Sequence, residues 1–149
     1  MKRAHREYEI DDDPTRPNFA RVHQWLTNSY WSPGIARERV ERAAAGSSLV
    51  VGAYVHDEHG AHDEQIGYLR VVSDRATFAW IADVFVDPPH RGRGVATAML
   101  QFAIEHPAHQ GLRRWTLATR DAHEVYAKVG FMPLPHPERF MIFKPVDGQ

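Results

Sequence analysis

Arg91-Gly92-Arg93-Gly94-Val95-Ala96 is the segment whose residue types most constrain the chemistry. Its glycines let the backbone approach a ligand closely, and its arginines add fixed positive charge. After it, Val95, Ala98, Met99, Phe102 and Ala103 recur at helical spacing. Before it, Phe78 to Val86 is an apolar run rich in aromatic and β-branched residues, long enough for one strand. Asp87-Pro88-Pro89 stops that strand, because proline cannot donate to a ladder. The order is therefore strand, basic glycine turn, helix. The N–H groups that open a helix lack acceptors within it and carry the positive end of its dipole, so this place suits a phosphate. A Walker A loop needs Gly-Lys-Ser/Thr, which is absent, and Thr97 stands where a dinucleotide fingerprint needs a third small residue. A purely structural turn is the remaining alternative.

Other residues invite chemistry singly. Asp83 lies inside Trp80-Ile81-Ala82-Asp83-Val84-Phe85-Val86. A carboxylate buried in an apolar strand is costly unless it is paired or faces a cleft. It is a candidate general base or anchor for a cationic amine; an arginine partner or a turn cap would satisfy it equally. Tyr30-Trp31 lies between two helical segments and could form an aromatic wall for a cation, or pack plainly on a sheet. His56, His59 and His62 stand among Asp57, Glu58 and Asp63 and could bind a metal, but a solvated hairpin loop is the plainer expectation, and no metal is expected. His123 could act as a base or simply stand exposed on a helix.

These groups must be positioned by a chain of 149 residues, one domain's worth, taken as residues 1–149. With no cysteine, disulfides, thiolate metal sites and a cysteine nucleophile are excluded. A net charge of −1 gives no bulk electrostatic case for nucleic acid. No apolar run approaches the roughly 18 residues needed to cross a bilayer, and the basic Met1 to Arg6 segment lacks the apolar core of a signal peptide. A cytoplasmic protein without membrane or nucleic-acid partners is expected, as a monomer or a homodimer.

In chain order, Glu7 to Ile10 reads as a first strand. A helix follows, which Pro17 can start, with Phe19, Val22, His23, Leu26 and Tyr30 at its spacing. A second helix is expected from Ile35 to Ala45, with Gly46 past its end. Ser48–Val55, Gln65–Val72 and Thr77–Val86 read as three antiparallel strands with short links. A helix over Gly94–Glu105 then leads to a strand over Arg113–Ala118. That passage implies a parallel crossover with the Phe78–Val86 strand. Ala122–Val129 reads as a short helix with Asp121 as N-cap and Glu124 completing a capping box. Phe131-Met132 and Arg139–Phe143 read as closing strands around a proline-rich loop. The expected class is α/β (an α+β mixed sheet), in the order β-α-α-β-β-β-α-β-α-β-β.

That order, with Arg91-Gly92-Arg93-Gly94-Val95-Ala96 after its fourth strand, resembles the GNAT superfamily of acyl-CoA-dependent N-acetyltransferases, whose motif is Gln/Arg-x-x-Gly-x-Gly/Ala. A late tyrosine followed by Gly-Phe is a second family feature, supplied by Tyr126 and Gly130-Phe131. The resemblance covers nearly the whole chain. It implies acetyl-CoA as cosubstrate and direct attack by an amine, small or on a peptide or protein. Gly92, Arg93, Gly94, Val95, Ala96 and Thr97, with Arg91 assisting, would cradle the pyrophosphate. Val84, Phe85 and Val86 would pair with the pantetheine arm, and an N–H near Val84 would stabilise the oxyanion. Tyr126 would protonate the departing sulfur. Tyr30 and Trp31 would cover the acceptor, with Asp83 as base or amine anchor. Thr119 stands where many relatives have an asparagine to pantetheine, so that contact departs from the family pattern. A GNAT-fold module that binds acyl-CoA without catalysis is the alternative.

Overall fold

The structure, a computed structural model, describes residues 1–56 and 63–146. Its elements are β1 (Lys2–Ala4), β2 (Glu9–Asp11), α1 (Phe19–Thr27), α2 (Arg37–Ala45), β3 (Leu49–His56), β4 (Asp63–Ser73), β5 (Phe78–Val86), α3 (Val95–Glu105), β6 (Arg114–Thr116) and α4 (His123–Ala127). The strands form one sheet in the order β1-β2-β3-β4-β5-β6. Every neighbouring pair is antiparallel except β5 and β6, which are parallel across the α3 crossover.

Alternation along the strands splits the apolar residues between the two faces. Leu49, Val51, Ala53, Leu69, Val71, Ala79 and Ile81 meet Val95, Met99, Phe102 and Ala103 of α3. Tyr68, Val50 and Phe85 meet Val22, Trp25 and Leu26 of α1 and Val40 of α2. Burying a large apolar side chain contributes about 1.5–3 kcal/mol, so the buried stripe of α3 holds that helix, and hence its N-terminus, firmly against the sheet. Gly67 permits the closeness: a Cβ there would come within 3.0 Å of Met99 Cε.

Several local expectations need correction. Helix α1 begins at Phe19, after Asn18, whose side chain accepts from Arg21 N–H at 3.1 Å. Pro17 precedes the cap and does not start the helix. Gly46 closes α2 in a right-handed conformation, φ −85°. Lys2–Ala4 is a strand paired with β2, although its polar residues show no alternating pattern. The expected strands at Phe131-Met132 and Arg139–Phe143 do not form. Pro133, Pro135 and Pro137 remove three N–H donors from the approach, and Pro137–Arg139 coils into a 3-10 turn. Strand β6 covers only Arg114–Thr116 of the expected Arg113–Ala118. Among the described residues no helix is long and apolar enough to cross a membrane.

Candidate active site

The glycine turn delivers the chain to α3. Gly92 and Gly94 have φ +78° and +79°, a region other residues enter only with strain. Gly94 is the N-cap of α3 and offers no side chain, so no side-chain hydrogen bond caps the helix. A Cβ at either glycine would meet no protein atom within 4 Å. The N–H groups of Val95, Ala96 and Thr97 thus open onto uncovered space, an arrangement that fits an anion. The arginines beside them differ. Arg91 is turned back: its Nε donates to Val86 O at 2.8 Å and its guanidinium lies 5.2 Å from the centre of the Phe85 ring. Arg93 is exposed, with Glu7 at 3.7 Å. Tyr8, in the link between β1 and β2, reaches the same turn, its hydroxyl donating to Gly94 O at 3.5 Å, a contact with no signal in sequence spacing.

Strands β5 and β6 pair only from Phe78↔Arg114 to Trp80↔Thr116 and then part. Beyond Trp80, the backbone of Phe85 and Val86 is paired on its β4 side alone, and Val84 has no ladder partner there. The edge facing the parting is open to an extended guest.

A bulge lies at the start of that open edge. Tyr68 pairs with Phe85 but Arg70 with Ala82, so Asp83 and Val84 together oppose Leu69. Asp83 takes φ +57°, the left-handed conformation that aspartate tolerates better than most residues. Its side chain faces the α1 side and is fully engaged. Oδ2 accepts from Arg70 Nε at 2.7 Å and Oδ1 from Trp31 Nε1 at 2.9 Å. Arg70 is a residue that the sequence marks without naming its partner: a charge inside Ile66-Gly67-Tyr68-Leu69-Arg70-Val71-Val72 is as anomalous as Asp83.

The loop between α1 and α2 spans the parting. Trp31 reaches the bulge, while the Tyr30 hydroxyl accepts from Arg120 N–H at 2.9 Å beyond β6. The Arg120 guanidinium lies 3.8 Å from the centre of the Tyr30 ring, and the two loop rings meet edge-on at 5.1 Å. Tyr126 of α4 is half-buried. Burial, and secondarily the neighbouring Tyr30 phenol, pushes its phenol up to about 12. Among the described residues its hydroxyl has no hydrogen-bond partner, while its ring meets Phe131 edge-on at 6.0 Å.

A profile of the Acetyltransferase (GNAT) family matches residues 5–131. The chain belongs to the GNAT acetyltransferase family. It is 38% identical to a crystallised protein of Xanthomonas campestris pv. campestris assigned to that family, with a TM-score of 0.85 over 95% of this chain and 96% of that one. Over 110 residues it is 30% identical to a histone acetyltransferase of Glycine max, covering 69% of this chain and 48% of that protein. Over 62 residues it is 37% identical to an N-acetyltransferase of Methanocaldococcus jannaschii, covering 39% of this chain and 27% of that one. The chain thus matches about half or less of the length of these curated relatives. A glucosamine-6-phosphate N-acetyltransferase of Arabidopsis thaliana, 18% identical with a TM-score of 0.61, shares the fold.

In this GNAT protein the bulge, the glycine turn, Tyr30, Trp31 and Tyr126 gather around the parting of β5 and β6. Other residues do not contribute as expected. The Thr119 hydroxyl accepts from Ala122 N–H at 3.1 Å and so caps the turn into α4. Asp121, expected in that role, pairs instead with Arg120 at 3.2 Å. His123 is exposed. Of the histidine cluster, His56 Nδ1 pairs with Asp63 at 2.6 Å; Asp57, Glu58, His59 and His62 lie outside the described residues. Elsewhere Glu64, Asp87 and His90 lie close enough to share an ion, but Arg21 Nη2 already bridges Glu64 at 3.1 Å and Asp87 at 2.7 Å.

Proposed function

We propose that this protein transfers an acetyl group from acetyl-CoA to a primary amine by direct attack. The observation that carries the reading is the uncapped N-terminus of α3, lined by Gly92 and Gly94, at the mouth of an open strand edge that runs back to the bulge. Bound acetyl-CoA would supply the thioester. The α3 N–H groups and Arg93 would hold its pyrophosphate, and Val84 to Val86 would hold its extended arm through the backbone. The backbone at the bulge, where β5 leaves its ladder, would polarise the thioester carbonyl. Tyr126 would give its proton to the departing sulfur, and the amine would lose its own to water.

Asp83 has a positioning role in this reading, since each of its oxygens already accepts a hydrogen bond from a side chain of the protein. Its bonds to Arg70 and Trp31 hold the bulge and the acceptor loop in one arrangement. The engaged carboxylate also favours a second reading, a module that binds acyl-CoA without turnover.

The deciding experiment is thiol release from acetyl-CoA against a panel of amines: small amines, amino acids and peptides with free N-termini or lysines. Turnover with one amine class is expected. Saturable acetyl-CoA binding with no thiol release from any amine would favour the binding module. In the same assay Asp83→Asn should raise KM for the amine several-fold and leave the acidic limb of the pH–rate profile in place. A flattened acidic limb would return the base role to Asp83.

A further inference from the structure

We infer, on the reading of the open β5 edge and the glycine turn as an acyl-CoA site, that Arg91 is a positioning residue and not a phosphate ligand: it fills the last carbonyl of that edge and so fixes where the extended arm of acyl-CoA leaves the strand for the turn. Val86 faces Gly67 across the ladder, and the next residue, Asp87, donates its N–H to Ile66 O at 2.8 Å. In an antiparallel pair, hydrogen-bonded and non-hydrogen-bonded positions alternate. Asp87 bonds toward β4, so the N–H and C=O of Val86 point the other way, to the open edge. Such an edge accepts the amides of an extended guest. At Val86 O the place is already taken, for Arg91 Nε donates to it at 2.8 Å. A guest can still reach the Val86 N–H, but its pairing ends there, where Asp87-Pro88 leads the chain away toward Gly92 and Gly94.

The side chain is held in this place from the α1 side of the sheet. Its guanidinium lies 5.2 Å from the centre of the Phe85 ring. Phe85 packs with α1, stacked on Trp25 at 5.0 Å and 21°. Arg21 continues the stack, 5.2 Å from the centre of Trp25, and its Nη2 lies 2.7 Å from Asp87 Oδ2. The corner at Val86 and Asp87 is therefore gripped twice, by Arg91 on the carbonyl and by Arg21 on the carboxylate. Helix α3 lies on the opposite face, where Val95 joins the other core. The Arg91 charge is thus directed away from the N–H groups that open α3, whereas Arg93 stays exposed beside them. A guanidinium stacked on a ring and bonded through Nε is fixed in both direction and depth. What Val86 O requires is a donor at the Nε position, not a charge. Glutamine supplies that donor, because its Nε2 stands as many bonds from Cα as the Nε of arginine. Lysine has a methylene there and keeps the charge alone.

Isothermal titration with acetyl-CoA and with ADP, which carries a pyrophosphate and no arm, separates the two roles. Acetyl-CoA affinity should fall about tenfold, the scale of one lost hydrogen bond, in Arg91→Lys and Arg91→Ala, and stay within about threefold of the parent in Arg91→Gln. ADP affinity should stay within about twofold of the parent in all three, far short of the tenfold that a lost phosphate contact would bring. In the free parent, nuclear magnetic resonance should show the Arg91 Nε–H exchanging with water more slowly than that of exposed Arg93. A residue that gripped the pyrophosphate would give the reverse pattern: Arg91→Lys would rescue, Arg91→Gln would not, and ADP would weaken with acetyl-CoA. That pattern, an equal loss in all three variants, or equal exchange at the two arginines would overturn the positioning role alone. A parent that binds no acetyl-CoA would overturn the acyl-CoA reading and this role with it.

Discussion

Gly94→Val is expected to lower acetyl-CoA affinity by at least ~100-fold, or ~2.7 kcal/mol, with thermal stability falling far less. Two effects act at this position. The backbone has φ +79°, and a left-handed conformation costs a β-branched residue about 1–2 kcal/mol. The larger effect is spatial. A Cβ here meets no protein atom within 4 Å, so the new side chain projects into the uncovered space onto which the α3 N–H groups open. Gly111→Val separates the two effects. Gly111 has nearly the same conformation, φ +78°, and equally open surroundings, but it lies in the connection between α3 and β6, away from the turn. That variant should lose similar stability and keep acetyl-CoA affinity within about twofold, well under the tenfold that 1.4 kcal/mol would bring. Isothermal titration of both variants decides the matter, and Gly94→Val binding as tightly as the parent would refute the cradle.

The glycine turn could be read from sequence because its signals are local. Proline ends β5, glycines make the turn, and a helical apolar spacing announces α3; each is a property of neighbouring residues. Asp83 is the contrary case. Its place inside an apolar strand marks it as unusual, but its partners lie at positions 31 and 70, and pairing across a sheet and from a distant loop leaves no pattern in sequence spacing. Its φ of +57° comes from a mismatch of register between β4 and β5, a property of two strands together. Thr119 and Asp121 show a finer limit. Both suit a cap, and only the path of the chain into α4 decides that Thr119 makes the bond. Arg139–Phe143 reads as a strand for sound reasons of propensity, yet a strand needs an edge to join, and among the described residues that segment joins none.

Tyr126→Phe is expected to lower kcat by about 10²–10⁴, the usual contribution of a positioned proton donor, while acetyl-CoA affinity stays within about twofold of the parent. The substitution keeps the ring and its edge-on contact with Phe131, and among the described residues the hydroxyl it removes bonds to nothing, so the packing of α4 should survive. The pH dependence gives a second readout. Burial, with the neighbouring Tyr30 phenol, pushes this phenol up to about 12, above the ordinary tyrosine value of about 10. A raised value means that the donor form persists to higher pH. Below pH about 10 the hydroxyl is protonated in the folded and unfolded chain alike, and between about 10 and 12 it stays protonated only in the folded one. Activity dependent on this donor should therefore hold on the alkaline side and fall only as pH nears 12, and Tyr126→Phe should lack that fall. Steady-state kcat for both proteins from neutral pH upward, limited at the alkaline end by folding checked with circular dichroism, supplies the comparison. A variant that turns over at the parental rate would remove Tyr126 from the reaction. A parental decline centred near pH 10 would place the donor on a phenol that burial has not shifted.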